Sequence, residues 1–442
     1  MASPGVSPAR RREILDALRR GTVPQNGLDV LAVGLDRLEP AVDEELDGVS
    51  EGSSGFKAVR GEYGAGKTFF GRWLAESARR RGFASSEVQI SETETPLYRH
   101  ETIYRRVVER LSTVERSGGA LRDVVDAWFF ALEQDALAEG AISVSDDAAL
   151  LARTDELIEQ RLARVGARAP AFSAALRGYR RAQAEGRRAD ADGLLAWFGG
   201  QPHVAAAVKR GAGVKGDVDH DAALGFLLGL LIVLRDSGHP GLVVVLDEVE
   251  TLQRMRSDVR ERSLNALRQL IDEIDGGALP GLYLVITGTS AFFDGPQGAQ
   301  QLPPLGQRLA TDFATDARFD NPRAVQIRLS GFDLELLTEV GRKVRDLYAD
   351  GAGSRERVLE LVDDTYLLTL ASAVTGQLGG RVGVAPRVFL KKLVADVLDR
   401  VDQFPDFRPN EHYALTIDAG ELTPVERAAR GVVDPDDVDL PS

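Results

Sequence analysis

There is no cysteine in the 442 residues. That removes disulfides, thiolate zinc sites and cysteine nucleophiles together, and it is compatible with a reducing cytoplasm. The five histidines include no HxxxH pair, which leaves little material for a histidine-ligated metal. Long apolar runs are missing too. The nearest, Ala222 to Leu234, is closed by Asp221 and Arg235 and reads as a buried helix rather than a membrane span. Residues 1–12 carry arginines with no apolar stretch behind them, so a secretory leader is not expected. Positive charge is in deficit: 54 Lys and Arg stand against 68 Asp and Glu, a formal net charge of −14. A chain of that sign does not coat nucleic acid with its whole surface. One dense run of arginines (Arg161, Arg164, Arg168, Arg177, Arg180, Arg181, Arg187 and Arg188, extended by Lys209, Arg210 and Lys215) leaves room for a local duplex-DNA surface. A solvated helix face is the simpler explanation of the run.

A hydrophobic share of 43% supplies an ordinary core, and the length suggests about two to four domains. The spacing predicts a helix over 7–20, a turn at 22–27, and a second segment over 28–45 with a strand-like entry at 31–33. The Gly/Ser-rich stretch 47–55 reads as a loop. Strands are expected at Phe56–Arg60, Glu87–Ile90, Leu242–Leu246, Leu282–Ile286 and, more weakly, Ala324–Leu329. Helices are expected at 68–80, 104–111, 222–234, 259–274 and over most of 333–400. Between about 116 and 220 the composition turns to Ala, Arg, Asp and Glu with helical periods and no strand signal. Strands alternating with helices, two of them unbroken apolar runs, predict an α/β protein with a mostly parallel sheet covered on both faces.

Chemistry enters at Gly61-Glu62-Tyr63-Gly64-Ala65-Gly66-Lys67-Thr68, which fits G-x-x-x-x-G-K-[ST] at every fixed position. Glycines let backbone N–H groups turn inward around phosphates, and the following helix, with Phe69 in its first turn, points its positive end at them. Lys67 adds a point charge on the β- and γ-phosphates, and the Thr68 hydroxyl is a Mg²⁺ ligand. The strand 242–246 ends in Asp247-Glu248, so Asp247 is the expected magnesium residue and Glu248 the base that activates water. After the strand 282–286, Thr289 and Thr287 are both candidates for a polar side chain between the acids and the γ-phosphate. Arg308 is a candidate finger for a neighbouring subunit's phosphate, with Arg318 its rival. Arg387, at the start of a helix expected over 388–401, is a candidate lid arginine reaching the γ-phosphate of its own subunit.

The order of these parts is similar to AAA+ ATPases, including the origin-recognition type. More closely, the chain resembles the ATP-binding proteins of BREX phage-defence systems, of the BrxD type. The matching stretches are Val23-Pro24-Gln25, Ala32-Val33-Gly34, Arg60 through Phe70, Val245-Leu246-Asp247-Glu248-Val249-Glu250 and Ala385-Pro386-Arg387. The resemblance implies a P-loop (AAA+-like) sheet core formed by 51–115 and 221–330. Around it stand an N-terminal helical segment (1–50), a helical insertion (116–220), a helical lid (331–402) and a tail (403–442). It implies ATP and Mg²⁺ as cofactors, hydrolysis, and a bacterial cytoplasmic setting with other BREX proteins as partners, on or near DNA; a finger arginine would fit a homo-oligomer. The origin-recognition type carries a winged-helix domain after the lid, and about forty residues are too few for one. DNA contact would then fall to the insertion. A nucleotide-gated switch with little turnover is the alternative; a DNA-loading ATPase and a small-molecule kinase fit less well.

Overall fold

The structure, a computed structural model, describes residues 6–140, 142–143, 146–378, 386–423 and 426–427. Its centre is a five-stranded sheet built from β1 (Gly55–Arg60), β2 (Ala84–Gln89), β3 (Leu242–Asp247), β4 (Leu282–Gly288) and β5 (Gln326–Arg328). The strand order is β2-β3-β4-β1-β5, and every neighbouring pair runs parallel. This is the α/β arrangement expected from the apolar runs: a parallel sheet needs helical crossovers, and those cover both faces. Successive side chains of a strand point to opposite faces, and the core divides accordingly. Val244 and Leu246 of β3 and Leu284 and Ile286 of β4 join one apolar cluster. Val243, Val245, Tyr283 and Val285 join another.

The first cluster is large because the helices between β2 and β3 complete it. Trp128, Phe172, Trp197, Phe198 and Phe226, all fully buried, pack there. The second face is covered by Leu46 and Val49 of the helix Glu39–Ser50 and by Phe70, Trp73 and Leu74 of the helix Lys67–Arg80. A third cluster lies apart from the sheet. It joins Ile14, Leu15 and Leu18 of the helix Pro8–Arg19 to the C-terminal helices through Val340, Val344, Leu367, Phe389 and Leu393. No helix among the described residues is long and apolar enough to cross a membrane.

Several local expectations shift. Residues 31–33 form no strand: Leu28–Leu31 is a short helix, with Leu28 and Leu31 buried beneath it. The helix Glu39–Ser50 runs into the stretch read as loop, because Leu46 and Val49 keep the helical spacing against the sheet. β2 begins three residues earlier than its apolar signal, at Ala84. Ser85 and Ser86 are buried there, with Arg79 donating to Ser85 Oγ at 2.8 Å. The helix expected over 388–401 starts at Pro386 and contains a π-helical stretch, Lys392–Leu398. Residues 383–385 before it, and the tail beyond 427, lie outside the described residues.

Candidate functional site

The register decides which chain ends meet. Arg60, the last residue of β1, pairs with Gly288, and Leu246 of β3 pairs with Ile286. The loop after β1 and the acids ending β3 therefore flank the end of β4. Gly64 and Gly66 adopt left-handed backbones (φ 83° and 89°), and Gly66 caps the helix Lys67–Arg80. A Cβ on Gly61 would stand 3.0 Å from that of Ala65 and 3.5 Å from Lys67 Cγ. The loop is thus wound so closely that side chains are excluded where phosphates would be cradled.

Lys67 is buried, and its ammonium donates to the carbonyls of Gly61 at 2.9 Å and Glu62 at 3.3 Å. It stands over the Tyr63 ring, 5.1 Å from the centroid. Thr68 Oγ1 donates to Asp247 Oδ2 at 2.9 Å, across 179 residues of chain. The other Asp247 oxygen accepts from Thr287 Oγ1. It also accepts from the Glu248 backbone N–H at 3.1 Å. Of the two threonine candidates, Thr287 touches the acidic pair. Thr289 is buried at the start of the helix Ser290–Asp294, with no side-chain bond to Asp247 or Glu248 among the described residues. Thr68 and Asp247 together offer the oxygen donors a Mg²⁺ ion prefers.

Three features of the site escaped sequence reasoning. Glu248 has a left-handed backbone (φ 62°), and its Oε2 accepts from Gln89 Nε2 at 2.9 Å. Glu250 is 6% exposed and lies 3.7 Å from Lys67 Nζ, with its second oxygen buried and unpartnered. Burial raises its carboxyl above the usual range, against the pull of Lys67. The third is Glu426, whose carboxylate grips Arg387. Gln89 ends a strand at the edge of the sheet, and a strand-end polar residue next to an acidic pair is the only local hint any of the three gives.

Lys67, Thr68, Asp247, Glu248, Glu250 and Glu426 line one cavity of about 580 Å³, the size of a small-molecule site. Lys67, Thr68, Asp247, Glu248 and Glu250, with the loop backbone from Tyr63 to Gly66, form its polar wall, and Arg387 lies on the same cavity. Val23, Pro24, Val33, Ile327, Phe332 and Leu336 make an apolar wall, suited to a flat heteroaromatic base beside a polyphosphate. Glu62, in the loop, is exposed to solvent.

The two finger candidates part company. Arg308 donates to the Pro304 carbonyl at 3.0 Å and pairs with Asp272 at 2.5 Å. It lies beside Ser53, Ser54 and Phe56, where β1 begins, at the end of the sheet opposite the phosphate loop. Arg318 is 72% exposed, stacked on exposed Phe319. Its neighbours Ala317 and Asp320 reach the rim of the cavity. In the arginine-dense helices, Arg161 pairs with Asp135, Arg168 with Glu273, Arg177 with Glu159, Arg180 with Glu133, Arg181 with Asp155 and Arg187 with Glu185 and Asp190. Lys209 pairs with Asp217. Among the described residues, Arg164, Arg188, Arg210 and Lys215 have no such partner. The run is mostly neutralised by acids on neighbouring helices.

The sequence model of one protein family, described as BREX system ATP-binding protein BrxC/D, matches residues 6–417. No curated protein and no solved structure matches the chain.

Proposed function

Because the chain belongs to the BREX system ATP-binding proteins of the BrxC/D family, we propose that it is a Mg²⁺-dependent P-loop ATPase of the AAA+ kind whose turnover serves that defence system. The observation that carries this reading is the bond from Thr68 Oγ1 to Asp247 Oδ2, with Glu248 as the next residue. A hydroxyl and a carboxylate held together beside a phosphate-sized loop, with a second carboxylate adjacent, are the parts hydrolysis needs. In this reading Gly61 to Phe69 wrap the phosphates and Lys67 turns from the Gly61 and Glu62 carbonyls to the β- and γ-phosphates. Thr68 and Asp247 hold Mg²⁺, which when bound neutralises charge on the phosphoryl oxygens. Glu248 orients water and takes its proton. Thr287, with Thr289 behind it, fixes the acidic pair. Arg387 reaches the γ-phosphate. Of the two fingers, Arg318 is the better supported, being exposed and so able to meet another subunit, while Arg308 is engaged by Asp272. The BrxD-type string Gly61 to Phe70 favours that half of the family, working in the cytoplasm with other BREX proteins.

The test is Glu248→Gln. Mg-ATP affinity should stay within about two-fold and turnover should fall by about 10²–10⁴, the usual worth of a general base. Turnover equal to wild type would sink the assignment. A second reading, a nucleotide-gated switch with little turnover, has one observation in its favour: Glu248 already accepts a hydrogen bond from Gln89. Duplex DNA as a partner finds less support, since most of the arginines between Arg161 and Arg188 are paired with acids.

A further inference from the structure

Arg387 opens the helix that begins at Pro386, and its guanidinium lines the same cavity as Lys67. Its Nε and Nη2 are occupied by a later stretch of its own chain. Nε donates to Glu426 Oε1 at 2.8 Å, Nη2 donates to Glu426 Oε2, and Nη2 also donates to the Glu421 carbonyl at 2.5 Å. Glu426 is 4% exposed, and Thr423 N donates to its Oε2 at 2.7 Å. The same segment is hooked to the next turns of that helix through Glu421, which accepts from Lys391 at 2.7 Å and Lys392 at 2.8 Å. Burial works against the Glu421 charge, yet the two lysines hold its carboxyl low, at about 2.

A carboxylate held by two parallel N–H bonds presents the same pair of oxygens to arginine as a phosphoryl group does. The Nε–Nη2 edge that Glu426 holds cannot take a phosphoryl group at the same time, and Thr423 and Glu426 stand on the cavity wall itself. We propose that Glu426 is an internal stand-in for the terminal phosphate of the nucleotide: docked on Arg387, it lowers the affinity for the triphosphate. By linkage, a partner that lifts the segment from the helix tightens triphosphate binding, and the triphosphate loosens the segment, by the same factor. This rests on reading the cavity as the nucleotide site.

Glu426→Gln in the full chain tests it, with Mg²⁺ and a non-hydrolysable ATP analogue titrated against Mg-ADP. Removing the competitor should tighten the analogue about five-fold or more, the low end of coupling between linked sites, and leave ADP unchanged, because only the third phosphate competes. In an Arg387→Ala background the same substitution should do nothing. Glu421→Gln, which unhooks the segment without touching the Glu426 carboxylate, should give a smaller gain of the same sign, and it covers the case in which Glu426→Gln does not fold. The idea is overturned by analogue binding that is unchanged or weaker, by an equal gain for ADP, or by a gain that survives the loss of Arg387. If Lys67→Ala binds the analogue as tightly as wild type, the nucleotide site itself is misplaced. If Lys67→Ala loses binding and Glu426→Gln changes nothing, the site stands and the competitor falls.

Discussion

Among the described residues, Glu248 and His203 alone combine a side chain with a left-handed backbone. Such a conformation costs about 1–3 kcal/mol and persists only where neighbouring interactions offset that cost. Here the Glu248 N–H bonds both Asp247 Oδ1 and Thr287 Oγ1, so the acidic pair and the end of β4 hold it. The carboxylate that this turn carries is aimed at Gln89. Gln89→Ala should therefore free it, raising ATP turnover severalfold while the affinity for Mg-ATP stays put; steady-state kinetics at saturating ATP would show this, and an unchanged rate would mean that Gln89 does not restrain the glutamate. The phosphate loop and Asp247-Glu248 were legible in the sequence because their chemistry is set by adjacent residues. Gln89, Glu250 and Glu426 were not. Each matters only through a partner brought to it by the fold, Glu426 through one 39 residues away. For the same reason Arg308 could not be discounted until the side chain of Asp272 was seen across from it.

The elements are held by two buried polar devices with opposite responses to charge. Lys57, in the middle of β1, is 2% exposed; its ammonium pairs with Glu45 at 2.5 Å and donates to the Ala324 carbonyl at 2.7 Å. Tyr283 of β4 donates to the same Glu45, so one carboxylate on the helix Glu39–Ser50 ties down two strands. Glu45→Ala would strand the lysine charge in the core, which costs roughly 3–5 kcal/mol. Denaturant titration should show that loss, and Lys57→Met in the same background should recover most of it. On the other face, His100 stacks on His220 with 4.4 Å between ring centroids. Burial, helped by the neighbouring ring, lowers the His100 pKa to about 4. A histidine held neutral in the fold binds its proton more readily when unfolded. Its contribution is therefore complete above the ordinary pKa of 6.5 and is lost as pH falls from there towards 4, by up to about 3 kcal/mol. His100→Gln should flatten the stability curve across that window, as read by chemical denaturation at each pH. The strands with unbroken apolar runs, β3 and β4, could be read directly. β2 could be read only in its second half, since Ser85 and Ser86 are buried by tertiary contacts and not by hydrophobicity. The short helix at Leu28–Leu31 is fixed by Glu76, which accepts from the Gly27 and Leu28 N–H groups at 2.8 Å, a contact no local pattern announces.

For the molecule as a whole, the telling feature is how the strands are ordered. β1 carries the phosphate loop, yet its neighbours are β4 and β5, while β2, made next, pairs with β3. Gly55 meets Tyr283, about 230 residues later. On a translating ribosome, at about 5–20 residues per second, that interval lasts on the order of 10–50 s. Throughout it the phosphate loop stands on a strand with both edges open, and the aspartate that is to face Thr68 has not been made for most of that time. ATP therefore cannot act as a folding template for the growing chain; it can be captured only after β4 has emerged. Stalled nascent chains ending before residue 282 should fail to retain an ATP analogue, and those extended past residue 330 outside the exit tunnel should begin to hold it. Retention by the shorter chains would mean that the loop can organise without its neighbours. For as long as the wait lasts, β1 is the stretch of this protein most in need of a chaperone.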